Sequence, residues 1–348
     1  MKPFEELTYL GRVRRMRGLA RVALVHYGLA DAPFRFLRQA GNTLYRVYDP
    51  DQAPAGMDNE LFEPGHYLLR IHQPGYQATE GIELELAWLA ALRQDANLPV
   101  PEPVPTLDGR LLTQVSIPGI PGERNCSLLR WLKGRSVTRG AGVRHYRAQG
   151  RLMVRLHEHA AHWQPPPGLT KRHWNWEGFF QDVEGTDLTA DEIWPLVPPQ
   201  YVDAFQFVIG RAGQLMDEWG TSPEVYGLIH ADLAIDANLL FWRREARAID
   251  FDDSGFGYWM YDLAIALEHC REDAAYARYR DALLEGYTAL RPLPQEQLQH
   301  LDLFLATWDV YLSLWATVGV HYYPHYREEA LERFERGAGF VLRYAAGG

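Results

Sequence analysis

One stretch of this 348-residue chain limits its possible folds more than any other, the stretch from Gly227 to Ala264. Its pattern predicts two short β-strands joined by a tight polar turn, with an acidic loop before and after the pair. The first strand begins at Leu239, and the second ends with Ala248 and Ile249. Because a hairpin folds back on itself, it brings the two acidic loops to the same end. The segment reads GLIHADLAIDANLLFWRREARAIDFDDSGFGYWMYDLA.

These loops hold the side chains that phosphoryl transfer uses. Asp232 and Asn238 lie in the first loop, and Asp250 opens the second. In kinases, one carboxylate orients or deprotonates the attacking hydroxyl, while an asparagine and a second carboxylate hold Mg²⁺ on the nucleotide phosphates. An ordinary solvated turn would explain Asp236 and Asp253, because aspartate often bonds its own backbone in turns. A solvated turn does not explain Asp250, because this carboxylate ends the second strand just as Asn238 precedes the first.

Four motifs in this stretch resemble the aminoglycoside phosphotransferase/choline kinase superfamily, whose members have a protein-kinase-like fold. In chain order they are HADL, NLL, IDFDD and YDLA. Within the superfamily, the chain is most similar to the branch that contains homoserine kinase type II and the stress-response kinase of the Cpx pathway. The resemblance covers about residues 8 to 345 and is strongest in the hairpin stretch.

The resemblance implies a role for the polar residues of both loops. Asp232 would accept the proton of the acceptor hydroxyl, and Asn238 and Asp250 would bind Mg²⁺ that bridges the phosphates of ATP. His230 and Asp262 would support the catalytic loop. Asp262 could also cap the helix that follows it.

The spacing of the first loop departs from the family pattern. The family places four residues between the aspartate and the asparagine, whereas five separate Asp232 from Asn238. Either the loop bulges by one residue and Asn238 keeps the metal role, or Ala237 occupies the asparagine slot and Asp236 assists instead. The apolar strand directly after Asn238 favours the bulge. Asp252 is a further candidate in the second loop, and its role stays open.

The first third of the chain contains a candidate ion pair. The pattern predicts a strand at Tyr67–Ile71 and a helix from Thr79, which can cap it, to about Gln94. Glu85 falls inside the apolar stripe of this helix, where a carboxylate is costly unless a cation pairs with it. Arg70, near the end of the strand, is the natural partner, and two unrelated surface charges are the alternative. By resemblance, the two correspond to the strand-3 cation and helix-C glutamate of kinases, with Arg70 holding phosphates.

Two backbone features complete the expected nucleotide site. Strands predicted at Phe34–Leu37 and Leu44–Tyr48 flank a turn at Gly41 and Asn42, and by resemblance this turn covers the nucleotide. A further strand, centred on Leu129, resembles the hinge between two lobes, where the chain would meet adenine. A plain hairpin turn and a plain edge strand are the alternatives.

Apolar residues at helical spacing predict that much of the remaining chain is helical. Three histidines in the second of these helices, His157, His159 and His162, do not share one face, so we expect packing or surface roles in place of a metal site. The predicted helices are Leu7–Tyr27, Arg144–His162, Tyr201–Trp219, Leu263–Arg271, Ala274–Leu290, Pro294–Val318 and Arg327–Tyr344.

Aromatic residues are frequent near the end of the chain. By resemblance, the acceptor site lies between the last helices and the catalytic loop, although helix packing explains most of these side chains. A further aromatic cluster at residues 173–180 is expected in the core or as a cover of one lobe. The aromatic residues of the last helices are Trp308, Tyr311, Trp315, His321, Tyr322, Tyr323 and His325.

Composition narrows the possible partners. The chain has 45 acidic and 35 basic residues, with a formal net charge of -10, which argues against nucleic acid. The two cysteines, Cys126 and Cys270, lie far apart in the sequence, so a reducing cytoplasm is expected. The first residues contain no apolar signal core and no apolar run approaches a membrane span, so no membrane association is expected.

Together these patterns predict an α+β protein with a bilobal protein-kinase-like fold. Residues 1–126 would form a nucleotide-covering lobe, with a small antiparallel sheet and one main helix, and residues 127–133 the hinge. Residues 134–348 would form a mostly helical lobe that carries the catalytic hairpin and binds the substrate.

The predicted activity is ATP- and Mg²⁺-dependent transfer of the γ-phosphate to a hydroxyl of a small molecule, such as an aminoglycoside, choline or homoserine. One alternative is a Ser/Thr protein kinase of the stress-response type, which the lack of a clear activation segment between Asp253 and Tyr261 disfavours. Another is a module that only binds nucleotide. A monomer or a homodimer is expected, and the sequence does not separate ATP from GTP.

Overall fold

The computed structural model describes residues 2–52, 60–138, 140–181, 188–322 and 327–347. Its first part contains five strands that pair into one antiparallel sheet, as the sequence predicts. The strands are β1 (Phe34–Ala40), β2 (Asn42–Tyr48), β3 (Phe62–Ile71), β4 (Leu112–Val115) and β5 (Arg124–Leu132). In the sheet they follow the order β1-β2-β3-β5-β4.

Helix α1 (Tyr9–His26) packs against this sheet. Its apolar face buries Leu19, Ala23 and Leu24 completely, and these side chains share a core with Tyr45 of β2. The arginines that alternate with them lie on the other side of the helix. This division is the pattern of an ordinary solvated amphipathic helix.

Helix α2 (Thr79–Ala96) is the helix predicted to carry Glu85, which is fully buried. The prediction that Thr79 caps this helix is wrong. Ala78 occupies the N-cap position, and Thr79 Oγ1 instead accepts a hydrogen bond from Asn125 Nδ2 at 3.1 Å. The threonine therefore ties α2 to β5.

The rest of the chain is mostly helical and contains two small sheets. The helices are α3 (Val143–His162), α4 (Trp176–Phe180), α5 (Ala190–Ile193), α6 (Pro199–Trp219), α7 (Trp259–Glu268), α8 (Tyr276–Thr288), α9 (Gln295–Leu298), α10 (Leu301–Tyr322) and α11 (Arg327–Gly347). The strands are β6 (His173–Trp174), β7 (Tyr226–Ile229), β8 (Leu239–Trp242), β9 (Glu245–Ala248) and β10 (Gly255–Tyr258). They form a three-stranded sheet, in the order β6-β10-β7, and the two-stranded sheet β8-β9.

Two helix predictions need correction. The helix predicted to begin at Leu263 begins at Trp259, with Tyr258 at its N-cap and Asp262 inside its first turn, so Asp262 does not cap it. The helix predicted over Pro294–Val318 is divided into α9 and α10. In the first case, the apolar residues before Asp262 extend the helix toward its N-terminus and free the aspartate for another contact.

The predicted hairpin is present as β8 and β9, and its register runs from Leu239 opposite Ala248 to the turn. Arg243 in the turn adopts a left-handed backbone with φ 56°, the conformation that two-residue hairpin turns require. At the open end, Ile249 N donates to Asn238 O at 3.0 Å. The pairing therefore brings the two acidic loops together.

Strands β7 and β10 were not predicted from the sequence. Both are short and contain glycines at points of close packing. A Cβ atom added at Gly257 would lie 2.5 Å from Ile229 Cδ1, and one added at Gly227 would lie 2.2 Å from the Trp259 ring. The glycines let this sheet approach its neighbours, and glycine carries no strand pattern that a sequence reading detects.

The prediction that no apolar run approaches a membrane span is wrong for one stretch, Gln295–His321, which is long and apolar enough to span a membrane by length and composition alone. In the fold, 78% of its apolar window is buried. Its buried residues, which include Leu305, Val310 and Leu314, belong to the main hydrophobic core. The stretch therefore has the burial of a core helix, packed against α11, α7 and α6.

Candidate active site

Three side chains predicted to act together line a single cavity of about 680 Å³. These side chains are Asp232, Asn238 and Asp250, and Gly41 and Asn42 of the turn between β1 and β2 line the same cavity. Asn238 Nδ2 donates hydrogen bonds to Asp232 Oδ2 at 2.6 Å and to Asp232 O at 2.8 Å. Because the amide nitrogen is engaged in this way, the amide oxygen is the atom of Asn238 that is available to a cation.

A tight turn absorbs the extra residue of this loop. Residues 235–238 form the turn, in which Asn238 N donates to Ala234 O at 3.0 Å. The turn places Asn238 beside Asp232 in spite of the five residues between them. Ala237 also lines the cavity, but its side chain has no oxygen. Asp236 lines the cavity too, and its Oδ1 is buried without a hydrogen-bond partner among the described residues.

Asp262 holds the backbone of the first acidic loop. It is fully buried, and its Oδ1 accepts from Ala231 N at 2.8 Å while Oδ2 accepts from His230 N at 3.4 Å. His157 of α3 lies 3.0 Å from Oδ2 and also bonds Tyr287 OH at 2.9 Å. Although burial opposes it, hydrogen bonding to His157 lowers the pKa of Asp262. The sequence predicts His157 only as a packing residue, since a histidine on an apolar helix face does not name its partner.

Two non-glycine residues of the site have a left-handed backbone, Ala231 with φ 66° and Asp250 with φ 66°. Such a conformation costs about 1–2 kcal/mol for an L-residue. Hydrogen bonds from distant parts of the sequence hold it in place, because Asp262 accepts from Ala231 N and His230 Nε2 lies 3.0 Å from Ile249 O. Backbone strain of this kind clusters at functional sites.

Burial and neighbouring carboxylates shift the pKa values of the acidic residues. For Asp232, burial and then the negative charge of Asp253 raise the pKa to about 7. For Asp250, burial and then Asp252 raise the pKa well above its ordinary value. For Asp252, hydrogen bonding to Asp250 and the charge of Arg70 outweigh burial and lower the pKa. Two carboxylates this close do not ionise independently, and a cation bound between them would favour both charged forms.

Glu85 and Arg70 form a buried ion pair, with Glu85 Oε1 accepting from Arg70. Arg70 NH1 also lies 3.5 Å from Asp252 Oδ1 and 3.9 Å from Asp250 Oδ1. The arginine therefore connects α2 with the second acidic loop. A second cation, Lys171, lies 3.6 Å from Glu85 Oε2. Sequence reasoning missed Lys171, because nothing local marks a lysine in an extended segment as buried.

The first part of the chain also holds the second acidic loop from above. Asn42 Nδ2 donates to Asp252 Oδ2 at 2.7 Å, and Asn42 Oδ1 accepts from Gln73 N at 2.9 Å. Gln77 Nε2 donates to Asp252 O at 2.8 Å. Gly41 has φ 70°, a value that favours glycine, and its backbone lets the turn close over the cavity. The turn at Gly41 and Asn42 thus reaches the carboxylates directly.

A second cavity of about 280 Å³ lies behind the first and is mainly apolar. Leu129 lines it with Leu68, its partner in β3. The neighbouring backbone groups are already used, because Val104 N donates to Leu128 O and Arg130 N donates to Glu102 O. Leu129 therefore contributes its side chain to this slot. Other residues that line it are Leu89, Trp131, Leu240, Ile249 and Phe251.

Among the residues whose side chains the structure describes, the other predicted histidines and aromatic residues line neither cavity. His159 lies 3.2 Å from Asp95 Oδ2, and His162 Nδ1 lies 2.9 Å from Glu158 O. Trp308 and Tyr311 stack on each other and meet Trp174 of β6 in an aromatic cluster. Trp315 and His321 are exposed, and Tyr322 ends α10. Tyr323 and His325 lie outside the described residues.

Comparisons with known proteins agree with this geometry. Residues 51–295 match the family model of the phosphotransferase enzyme family. Homoserine kinase of Sinorhizobium medicae (strain WSM419) is 27% identical over 260 residues, which cover 71% of this chain and 72% of that protein. Amicoumacin kinase of Bacillus subtilis (strain 168) is 25% identical over 248 residues, which cover 70% of this chain and 65% of that protein.

Among solved structures, a microcompartment-associated aminopropanol kinase superposes with a TM-score of 0.73 and 29% sequence identity. The match covers 94% of this chain and 97% of that one. The predicted protein-kinase-like fold and the predicted superfamily are confirmed. Since the family model spans more than half of the sequence, the chain belongs to the phosphotransferase enzyme family.

Proposed function

We propose that this protein transfers the γ-phosphate of ATP to a hydroxyl group of a small molecule, with Mg²⁺ as the metal. One observation carries the proposal. Asp232, Asn238 and Asp250 line a single cavity, and the buried cation Arg70 lies next to Asp250. Phosphoryl transfer needs a group that orients the hydroxyl, oxygen ligands for a metal and cations for the phosphates.

Asp232 is the proposed base. Its raised pKa, about 7, lies near neutral pH, where a carboxylate both accepts a proton readily and is substantially ionised. Arg70 is proposed to hold phosphate oxygens while Glu85 fixes its orientation, because a guanidinium can bond two partners through separate N–H groups. The turn at Gly41 and Asn42 is proposed to cover the phosphates. Catalysis then depends mainly on positioning and charge.

The donor atoms fit Mg²⁺. Mg²⁺ prefers oxygen ligands and usually takes one or two carboxylates together with substrate phosphates. Asn238 offers an amide oxygen, and Asp250 a carboxylate, with Asp252 and Asp236 as further candidates. Within the described ranges, no group of three or more His, Cys, Asp or Glu side chains could hold a metal alone. This finding agrees with a metal that is held partly by the nucleotide. When bound, the metal would neutralise charge on the phosphates.

The apolar slot beside Leu129 is the proposed place for the adenine ring, between β3 and β5 above and β8 below. In this proposal, the chain works as two lobes, residues 1–126 and 134–348, joined at residues 127–133, although residues 127–132 also complete β5 of the first sheet. Gly134 and Arg135 follow this segment, and Arg135 N donates to Phe241 O of β8 at 3.1 Å. The proposed hinge thus ends on the catalytic hairpin.

A small acceptor is favoured over a protein. The residues directly after Asp253 form β10, which pairs with β7 from Gly255 opposite Ile229 to Tyr258 opposite Tyr226. Helix α7 begins at the next residue. The described chain therefore has no free segment at the place where protein kinases carry an activation loop. We also propose a cytoplasmic location, since both cysteines are free and buried.

The test is turnover of Mg²⁺-ATP with a panel of homoserine, aminopropanol, choline-like amino alcohols, aminoglycosides and a protein extract. We expect phosphate transfer to at least one small hydroxyl compound. Asp232→Asn should lower kcat by about 10²–10⁴-fold, the usual contribution of a general base. Its affinity for nucleotide should stay within about twofold of wild type, because the variant keeps the shape of the side chain.

Asp236→Asn separates the two ligand assignments, because Asp236 is the alternative ligand to Asn238. If Asn238 is the ligand, Asp236→Asn keeps the Mg²⁺ requirement of wild type and Asn238→Ala raises it. If Asp236 is the ligand, Asp236→Asn raises the Mg²⁺ requirement and Asn238→Ala keeps that of wild type. Nucleotide binding with no turnover on any acceptor would support a module that only binds nucleotide. Transfer to proteins alone would support a protein kinase.

A further inference from the structure

Lys171 is a buried lysine in the segment between α3 and α4. Only 8% of the residue is exposed, although lysine is almost never buried without a partner. Its chain passes the first turn of α2, where a Cβ atom added at Gly81 would lie 3.5 Å from Lys171 Cγ. That distance is an ordinary van der Waals contact, so the stem of the lysine packs directly against α2.

Three acceptors surround the ammonium group. Lys171 Nζ donates to Phe251 O at 3.0 Å, to Asp252 O at 2.8 Å and to Ser254 Oγ at 2.8 Å. An ammonium has three N–H donors, so the acceptors match its full capacity. Two of them are backbone carbonyls directly after Asp250, the residue with the left-handed backbone. Lys171 therefore fixes the path of the chain that presents the proposed metal ligand.

The same nitrogen also faces α2. It lies 3.6 Å from Glu85 Oε2, while Arg70 binds the other carboxylate oxygen. Glu85 is thus held by one cation from the sheet and one from the segment after α3. In this way Lys171 connects α2, the second acidic loop and the larger lobe through one atom.

We propose that Lys171 is a positioning residue that keeps α2 and residues 250–254 assembled around the Mg²⁺-nucleotide site without an activating event. The inference rests on the proposed function, because it assigns the assembled geometry to nucleotide binding. Protein kinases reach the equivalent arrangement by ordering an activation segment and helix C. Here the described chain has β10 in that place, and a buried lysine makes the connection.

Electrostatics and positioning predict opposite effects of removing this charge. Two buried cations, Arg70 and Lys171, face the carboxylates of Glu85, Asp250 and Asp252. If only charge mattered, removing the lysine would leave the site more negative and would strengthen Mg²⁺ binding. If positioning matters, the loop loosens and binding of the metal itself weakens. Removal of groups that orient metal ligands typically costs about 10–100-fold in affinity.

The experiment compares Lys171→Met with wild type and with Arg291→Met. Arg291 is the matched control, because it also donates to two backbone carbonyls, Pro223 O and Glu224 O, and pairs with a carboxylate, that of Glu158. Calorimetry measures the dissociation constant of Mg²⁺ with the non-hydrolysable analogue AMP-PNP, and Mn²⁺ titration followed by magnetic resonance measures metal binding directly. Steady-state kinetics gives kcat and KM for ATP at a temperature below the unfolding transition.

We expect Lys171→Met to weaken Mg²⁺-AMP-PNP and Mn²⁺ binding by about 10–100-fold, and to raise KM for ATP, while Arg291→Met stays within twofold of wild type. Ser254→Ala removes one of the three acceptors and should give a smaller change in the same direction. If Lys171→Met does not fold, Ser254→Ala becomes the test variant. Unchanged or tighter metal binding in the test variant would overturn the inference. Wild-type protein without nucleotide binding would instead overturn the proposed function.

Discussion

Asp232→Asn is expected to make the metal-free protein more stable at neutral pH, although it removes the proposed catalytic base. Burial, and then the negative charge of Asp253, raises the pKa of Asp232 from 3.8 to about 7. The ionised carboxylate is therefore disfavoured in the folded state relative to the unfolded chain. The amide of the variant has the same shape and does not ionise, and its oxygen accepts the same hydrogen bond from Asn238.

The sign and the size follow from proton linkage. Below about pH 4, the carboxyl is protonated in both states and has no effect on stability. Between about pH 4 and 7, the folded state keeps a proton that the unfolded chain has lost, so the free energy of unfolding falls by about 1.4 kcal/mol per pH unit. Above about pH 7, Asp232 is ionised in both states, and the loss of free energy of unfolding no longer grows with pH. The interval of about three pH units sets an upper limit of about 4 kcal/mol, which screening in the open cavity lowers.

The assay is urea unfolding followed by tryptophan fluorescence, at pH values from 4 to 8 and with EDTA present. The chain has 11 tryptophans, and linear extrapolation gives the free energy of unfolding in water. The difference between Asp232→Asn and wild type should be near zero at pH 4. It should grow with pH and level off above pH 7 at about 2–4 kcal/mol in favour of the variant.

Asp108→Asn gives a control of opposite sign. Hydrogen bonds from Thr106 and Arg110 lower the pKa of this exposed carboxyl to about 2. Its ionised form therefore stabilises the fold above the unfolded pKa, and the contribution is lost as the pH falls toward 2. The variant should be the less stable protein at neutral pH. If the Asp232→Asn difference does not depend on pH, or favours wild type between pH 5 and 8, the assignment of a buried, disfavoured carboxylate to Asp232 is wrong.

Three further substitutions, two at Arg70 and one at Asp262, test the supports of the site. Arg70→Met leaves buried Glu85 without its main partner and should lower the free energy of unfolding by about 3–5 kcal/mol in the same urea titration. Arg70→Lys keeps the positive charge but loses the forked arrangement of N–H donors. It should raise KM for ATP by about tenfold, since a charged hydrogen bond contributes about 1.5–3 kcal/mol. Equal stability of Arg70→Met and wild type would contradict this role. Asp262→Asn turns one acceptor into a donor that faces Ala231 N–H or His157, and should cost about 1–3 kcal/mol of stability and lower kcat more than nucleotide affinity. A variant with wild-type kcat would show that Asp262 does not position the catalytic loop.

The contacts around Lys171 and Asp262 have a common physical feature. Each places a charged group, more than nine-tenths buried, against backbone atoms of an acidic loop that contains a left-handed residue. Charge-assisted hydrogen bonds are roughly twice as strong as neutral ones. They can therefore stabilise a left-handed backbone conformation that is unfavourable for the residue itself. The proposed ligand Asp250 lies directly before one such support, and the proposed base Asp232 lies directly after the other.

Much of the site was predictable because its information is local. The asparagine stands before one short strand and the aspartate after the next. When the two strands pair as a hairpin, both groups lie at its open end, and this does not depend on the rest of the fold. The same holds for Glu85, since a carboxylate inside an apolar helical stripe requires a cation and Arg70 ends the preceding strand. Even the extra residue between Asp232 and Asn238 is accommodated by a local turn.

The remaining parts depend on segments that are distant in the sequence. His157 and Lys171 look like ordinary polar residues in their own segments, and only packing shows that one braces Asp262 and the other reaches Phe251 O. Strands β7 and β10 pair at a place where glycines permit close contact with the Trp259 and Ile229 side chains, and no local pattern reveals this contact. Local sequence patterns therefore account for the chemistry at the open end of one hairpin. Long-range packing accounts for what holds that hairpin in place, because burial and hydrogen bonds between distant segments arise only when those segments meet.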